Sequence, residues 1–165
     1  MKKALSIILA CILLLTSAAA LADSGWKTFT NSGFTAELPD WTPEEGTSGS
    51  VNYIKLRRDP QHSAKGMYTF NVSRSKYVLN ADQYYNEFLG SLGYDDMVIE
   101  DIKVCGVPGK FFTGSVSQGS LKVDLCGFAC VIGNKVVSTL YIDPTISNDQ
   151  LASDVKKVAE SVLLE

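Results

Sequence analysis

Residues 98–142 read VIEDIKVCGVPGKFFTGSVSQGSLKVDLCGFACVIGNKVVSTLYI, and this stretch decides the fold. Apolar and polar residues alternate along it, and turns rich in glycine interrupt the alternation at short intervals. Because short turns join antiparallel neighbours, the stretch predicts a β-meander. Over the second half of residues 121–132 both faces are apolar, which indicates that this strand is covered on both sides.

The predicted turns determine which meander residues face each other. A four-residue turn at 106–109 and a two-residue turn at 118–119 place Lys110 opposite Gly127. A strand has a period of two, so this register also decides which side chains share a face of the sheet.

The cysteines at positions 105, 126 and 130 test that register. Cys126 and Cys130 lie about 13 Å apart along one strand, and a disulfide requires Cα atoms within about 7 Å. On the predicted register Cys105 points to the face opposite Cys126 and Cys130, so we expect three small core residues and no disulfide. A one-residue bulge would reopen a bridge from Cys105 to Cys126 or Cys130.

Strand patterns and one polar segment precede the meander. Residues 26–38 predict a hairpin with a tight turn, and residues 51–57 and 67–75 predict two more strands. Residues 42–50 are polar and rich in glycine and serine, so we expect a loop there.

Two amphipathic helices flank the meander in the sequence. Asn80 with Gln83 predicts the start of the first helix and Gly93 its end. Ser147 with Gln150 predicts the start of the second. One helix is then available for each face, and the predicted fold class is α+β: an antiparallel β-sheet covered by helices on both faces, an α/β/α sandwich.

Residues 1–22 are typical of a cleavable signal peptide. They have a lysine-led start, an apolar middle and an Ala-Leu-Ala triplet ending at Ala22. We therefore expect one domain over residues 23–165, secreted or extracytoplasmic, at the cell surface or in the periplasm. The mature chain contains no further apolar run long enough for a membrane span.

The charge pattern argues against nucleic acid as a partner. The chain has a formal charge of −3, and its leader holds two of the lysines. The one basic cluster, Lys55, Arg57 and Arg58, is best interpreted as a solvated strand edge.

The chain resembles the PsbP-like family, which shares the fold of the extrinsic photosystem subunit. The resemblance is carried by residues 26–29 (WKTF), 33–41 (GFTAELPDW), 70–81, 102–109 (IKVCGVPG) and 159–162 (AESV). It implies an α/β/α sandwich built on an antiparallel sheet. It also implies an accessory or adaptor protein that binds a larger partner, and no family site residue can be placed on this sequence.

No arrangement of residues typical of an enzyme is present in the sequence. His62 is the single histidine and lies in a polar loop without a partner motif. Zinc spacing and a glycine-rich phosphate loop are both missing. We therefore expect no enzymatic activity, no catalytic residue, no metal site and no cofactor.

The leading hypothesis is an exported, non-enzymatic binding or accessory module, a monomer that acts on an unknown protein or cell-envelope partner. Its candidate ligand or partner surface comprises Trp41, Tyr94, Asp95 and Asp96, because aromatic residues and adjacent carboxylates occur there in polar loops. One alternative is an extracytoplasmic small-molecule or metal-ion binding protein. Another is a hydrolase with an unrecognised site that uses His62.

Overall fold

The computed structural model describes residues 25–61, 66–74, 86, 90, 91, 93, 95–118 and 121–165. The predicted signal peptide, most of the predicted first helix, His62 and Tyr94 lie outside the described residues. Strands account for 65% of the described part and helix for 15%.

The described elements form two antiparallel sheets and one long helix. Their bounds are β1 Trp26–Asn31, β2 Phe34–Pro39, β3 Thr42–Ser48, β4 Val51–Arg57, β5 Met67–Arg74, β6 Asp95–Val104, β7 Val107–Gln118, β8 Leu121–Ile132, β9 Lys135–Ile142, α1 Asn148–Ser161 and β10 Leu163–Leu164. The main sheet has seven strands in the order β3-β4-β5-β9-β8-β7-β6, and the small sheet has three, β1-β2-β10.

The predicted meander is present, but its register differs from the expected one. Gln118 pairs with Leu121, which places Lys110 opposite Ala129 and not opposite Gly127. The preceding connection also differs. The predicted four-residue turn is a two-residue turn at Cys105-Gly106, in which both residues have positive φ (52° and 75°), as in a type I′ hairpin.

Residues 42–48 form strand β3, so the loop expected over 42–50 is wrong for most of its length. The segment pairs along its whole length with β4, from Thr42 opposite Arg57 to Ser48 opposite Val51. Its polar composition has low strand propensity, but an edge strand with both faces exposed needs no apolar side chains. The neighbouring strand therefore determines its conformation.

The predicted α/β/α sandwich with helices on both faces is wrong. Within the described residues the sheet dominates, α1 covers one face, and the small sheet shares that face with it. Phe34 and Leu38 of β2 lie in the same buried cluster as Phe128 of β8 and Val155 of α1. The burial expected on both faces of β8 is confirmed, because Leu125 and Ala129 on its other face are buried in a second cluster. On the α1 face, the amphipathic hairpin supplies part of the apolar cover.

The sequence pattern of α1 explains its limits and its buried stripe. Ser147 caps its first turn and accepts a hydrogen bond from the Gln150 backbone N–H at 3.3 Å, as predicted. Leu151, Val155 and Val158 recur at helical spacing and are buried against the sheet. The start of α1 therefore has a fixed position beside β7 and β8.

Candidate functional site

A β-bulge at the start of β6 brings two carboxylates onto one face of the main sheet. The register against β7 shifts between Asp95 and Val98, and Asp96 has a φ of 50°. Asp95 accepts a hydrogen bond from Ser117 Oγ at 2.8 Å, and Asp96 accepts one from Lys122 Nζ at 2.6 Å. Since Ser117 and Lys122 are direct cross-strand partners, the bulge places both predicted carboxylates side by side.

A polar cavity of about 240 Å³ lies where this face meets the start of α1. It is lined by Asp96, Thr113, Gly114, Ser115, Lys122, Asp124, Leu125, Cys126, Asn148 and Leu151. We call this feature the polar cavity. It joins residues of β6, β7, β8 and α1, so only the folded chain assembles it.

Asp96 and Lys122 form the exposed ion pair of the polar cavity. The hydrogen bond from Lys122 and its positive charge lower the pKa of Asp96. The hydrogen bond to Asp96 raises the pKa of Lys122, and the charges of Asp124 and Asp95 add to this effect. Three carboxylates therefore act on one ammonium group, and the cavity keeps an excess of negative charge at neutral pH.

One buried hydroxyl of the cavity has no hydrogen-bond partner inside the described part of the chain. Ser115 is 2% exposed, and its hydroxyl makes no hydrogen bond there. Asp124 is its cross-strand partner, is half-buried, and acts on Lys122 through its charge. A buried hydroxyl without a partner is unusual in a folded protein and requires an explanation.

The outer side of β6 is the longer edge of the main sheet. Val98 and Ile99 are 57% and 47% exposed there. Glu100 pairs with Lys156 of α1 at 3.2 Å, and Asp101 pairs with Lys110 of β7. Both pairs are exposed, and such pairs contribute little to stability.

The hairpin register shows which backbone groups of β6 point away from the sheet. Val104 and Val107 close the two-residue turn as a hydrogen-bonded pair, and hydrogen-bonded and non-hydrogen-bonded pairs then alternate. Ile99, Asp101 and Lys103 fall at the non-hydrogen-bonded positions. Their N–H and C=O groups therefore point outward, where another strand could pair with them. We call this feature the β6 edge.

The opposite edge of the main sheet lacks these properties. The same alternation, counted from the closing pair Ser48 and Val51, points the backbone of Pro43, Glu45 and Thr47 outward. Pro43 has no N–H to offer, and proline and charged residues are common devices that protect sheet edges. The two edges therefore differ in their capacity to accept a partner strand.

Trp41 is not among the residues that line the polar cavity or form β6. It is half-buried, its ring meets that of Tyr141 edge-on with centroids 5.8 Å apart, and the Arg58 guanidinium lies over it at 4.8 Å. Arg58 also binds the fully buried carboxylate of Asp143 at 2.7 Å. Trp41 is therefore half-buried beside the ion pair of the partly exposed Arg58 and the buried Asp143.

All three cysteines of the described residues are free thiols, which confirms that no disulfide forms. Burial raises the pKa of Cys130 to about 12 and that of Cys126 even further. Both side chains are therefore neutral thiols at neutral pH. Cys105, half-buried in the β6–β7 turn, packs against the core cluster.

The arrangement of a long antiparallel meander, a small second sheet and a C-terminal helix defines a PsbP-like fold. The solution structure of cyanobacterial PsbP (CyanoP) from Synechocystis sp. PCC 6803 matches it with a TM-score of 0.61 and 15% identity, covering 86% of this chain and 94% of that one. A crystal structure of a protein from Bacteroides thetaiotaomicron VPI-5482 matches with a TM-score of 0.53 and 12% identity, covering 86% of this chain and 49% of that one.

No family model and no curated protein matches the chain. Within the described part, no helix combines the length and apolar character that a bilayer crossing requires. The same residues contain no group of three or more histidine, cysteine, aspartate or glutamate side chains placed to hold a metal ion.

Proposed function

We propose that this chain is an exported, non-catalytic binding module that pairs an extended segment of a protein partner with the β6 edge. The observation that carries the proposal is the exposure of Val98 and Ile99, at 57% and 47%, on a terminal strand of the main sheet. An open strand edge is a template for another chain. The signal-peptide pattern of residues 1–22 supports a location outside the cytoplasm.

The charge of β6 favours a basic partner segment. Strand β6 contains four acidic residues and one basic residue, Lys103. The acidic residues are Asp95, Asp96, Glu100 and Asp101. The present partners of Glu100 and Asp101 are the exposed Lys156 and the half-buried Lys110. Both pairs include an exposed carboxylate, so a ligand can replace them at little cost. Val98 and Glu100 lie on one face of the sheet, and Ile99 and Asp101 lie on the other. An incoming strand that carries both basic and apolar residues on each face would thus complement both the carboxylates and the exposed valine and isoleucine.

The first test uses a short peptide in which pairs of lysines alternate with pairs of valines, so that each face carries both residue types. A peptide in which glutamate replaces each lysine is the control. We expect the lysine peptide to slow amide exchange of Ile99, Asp101 and Lys103, because strand addition engages outward N–H groups. We expect the glutamate peptide to bind about tenfold more weakly or worse. Amide-resolved hydrogen exchange by NMR measures both.

Matched proline substitutions in β6 and β3 show which edge of the main sheet binds the peptide. Ile99→Pro removes an outward donor from β6 and should weaken binding of the lysine peptide about tenfold or more. Glu45→Pro makes the same change at an outward position of β3 and should leave binding unchanged. Equal loss in both variants, protection of Glu45 and Thr47 instead of Ile99, or equal binding of both peptides would refute the proposal.

A further inference from the structure

We propose that the polar cavity at the start of β6 is a binding site for a small organic cation that carries a primary ammonium group. This site is separate from the β6 edge: its lining comes from the face of the sheet beneath α1, and the edge uses outward backbone groups. The first observation is an unsatisfied hydroxyl beside a carboxylate, on paired residues of strands β7 and β8. Ser115 Oγ is buried without a partner among the described residues, and its cross-strand partner is the half-buried Asp124.

An ammonium group fits what these two side chains lack. It has three N–H donors and no acceptor, whereas a carboxylate accepts only and a serine hydroxyl can both accept and donate. An ammonium that donates to Asp124 and to Ser115 Oγ would satisfy both. Hydrogen bonds to ionised groups are about twice as strong as neutral ones, so the carboxylate would supply most of the affinity.

The charges around the cavity favour a cation over an anion. Asp95, Asp96 and Asp124 each carry a negative charge, and Lys122 carries a positive one. The start of α1 at Asn148 adds about half a positive charge. The net charge is therefore about −1.5, and the combined effect of the three carboxylates on the pKa of Lys122 shows that they act on the same region.

The size of the cavity restricts the ligand to a small group. Its volume of about 240 Å³ lies below the roughly 300 Å³ at which sites for drug-sized molecules begin. Leu125, Cys126 and Leu151 line part of the wall and suit a short methylene chain. A short aliphatic amine satisfies both requirements.

The ammonium group of Lys122 competes with the ligand for the negative charge of the cavity, so removing it should strengthen binding of a cation. Its ammonium already neutralises Asp96 at 2.6 Å and lines the same cavity. Removing that charge would leave more of the negative potential for a ligand. A lysine that recognises an anion would behave in the opposite way.

The test titrates 1,4-diaminobutane into the full mature chain at low ionic strength, with 1,4-butanediol and succinate as probes of matched length. We expect the diamine alone to bind and to shift the NMR signals of Ser115 and Asp124. Asp124→Asn should weaken binding about tenfold or more, and Lys122→Gln should strengthen it several-fold. Asp101→Asn, an exposed carboxylate of β6 outside the cavity, should have no effect.

Three results would contradict a cation site. If succinate binds and Lys122→Gln abolishes that binding, the cavity is an anion site. If the diol binds as tightly as the diamine, charge plays no role. If no probe binds, the cavity holds only water and the proposal is wrong. If Asp124→Asn does not fold, the Lys122→Gln result still decides between cation and anion. The charges of Asp95 and Asp96 bear on both proposals, but diamine binding depends on Asp124 and Ser115, and peptide binding depends on the outward backbone groups of β6. Either can therefore fail without the other.

Discussion

Gly127→Ala is expected to lower the free energy of unfolding by about 3 kcal/mol, one of the largest effects available from a single added methyl group. Gly127 is buried in β8, in the middle of the main sheet. A Cβ at this position would overlap the Thr139 carbonyl oxygen of β9 and lie 2.7 Å from Cζ of Phe112. Since Thr139 belongs to the backbone ladder, the sheet itself would have to shift.

Gly90→Ala is the matched control, because a Cβ added at Gly90 meets no atom within 4 Å. We expect its stability to be unchanged or raised by up to about 1 kcal/mol, as alanine favours helix over glycine. Urea denaturation followed by circular dichroism measures both variants. Equal stability of the two alanine variants would contradict the close approach of β7, β8 and β9 at Gly127.

Arg58→Met is expected to lower the free energy of unfolding by about 3 kcal/mol, because it leaves the buried carboxylate of Asp143 without its counter-charge. The side chain of Asp143 is fully buried and lies 2.7 Å from Arg58 Nη2. The Thr145 backbone N–H and hydroxyl also donate to it, at 2.9 and 2.5 Å, and the Tyr141 hydroxyl donates at 3.5 Å. These neutral donors do not cancel the charge. The substitution also removes the guanidinium that covers the Trp41 ring.

Arg57→Met is the control for the neighbouring arginine. Arg57 pairs with Glu44 at 3.3 Å, and both side chains are partly exposed, so we expect a loss of at most about 1 kcal/mol. Combining Arg58→Met with Asp143→Asn should restore part of the lost stability, because no unpaired buried charge remains. A double-mutant cycle by urea denaturation measures the coupling, and a coupling near zero would contradict the buried pair.

The order β6-β7-β8-β9 within the meander was predictable, but its exact register and the place of β3, β4 and β5 beside it were not. The Gly133-Asn134 dipeptide is a common hairpin turn, and it joins the paired residues Ile132 and Lys135. The first meander turn was misplaced because Pro108, usually a turn residue, lies in β7 opposite Lys103. Cys105 takes the positive φ that sequence rules assign to glycine or asparagine.

The secondary structure that depends on distant contacts was not predictable. Residues 42–48 have no strand pattern of their own and pair only because β4 lies beside them. The first hairpin was recognised, but not its place in a separate sheet. That place depends on β10, in which Leu163 and Leu164 pair with residues at the start of β2.

The sequence indicated some residues of the candidate site but not the contacts between them. Asp95 and Asp96 are conspicuous as adjacent carboxylates, and the alternation of β8 places Lys122 and Asp124 on one face. The bulge that joins these pairs has no sequence signal. Ser115 reaches Asp124 only on the observed register, which lies two residues from the predicted one.

Amide hydrogen exchange of the free protein, resolved by NMR along β6, tests the central claim that this strand is an open edge. We predict an alternation: the amides of Val98, Glu100 and Ile102 exchange slowly, and those of Ile99, Asp101 and Lys103 exchange rapidly. Slow exchange at every β6 amide would mean that another segment covers the edge. Rapid exchange at every one would mean that β6 does not pair with β7, and either result would contradict the proposed docking strand.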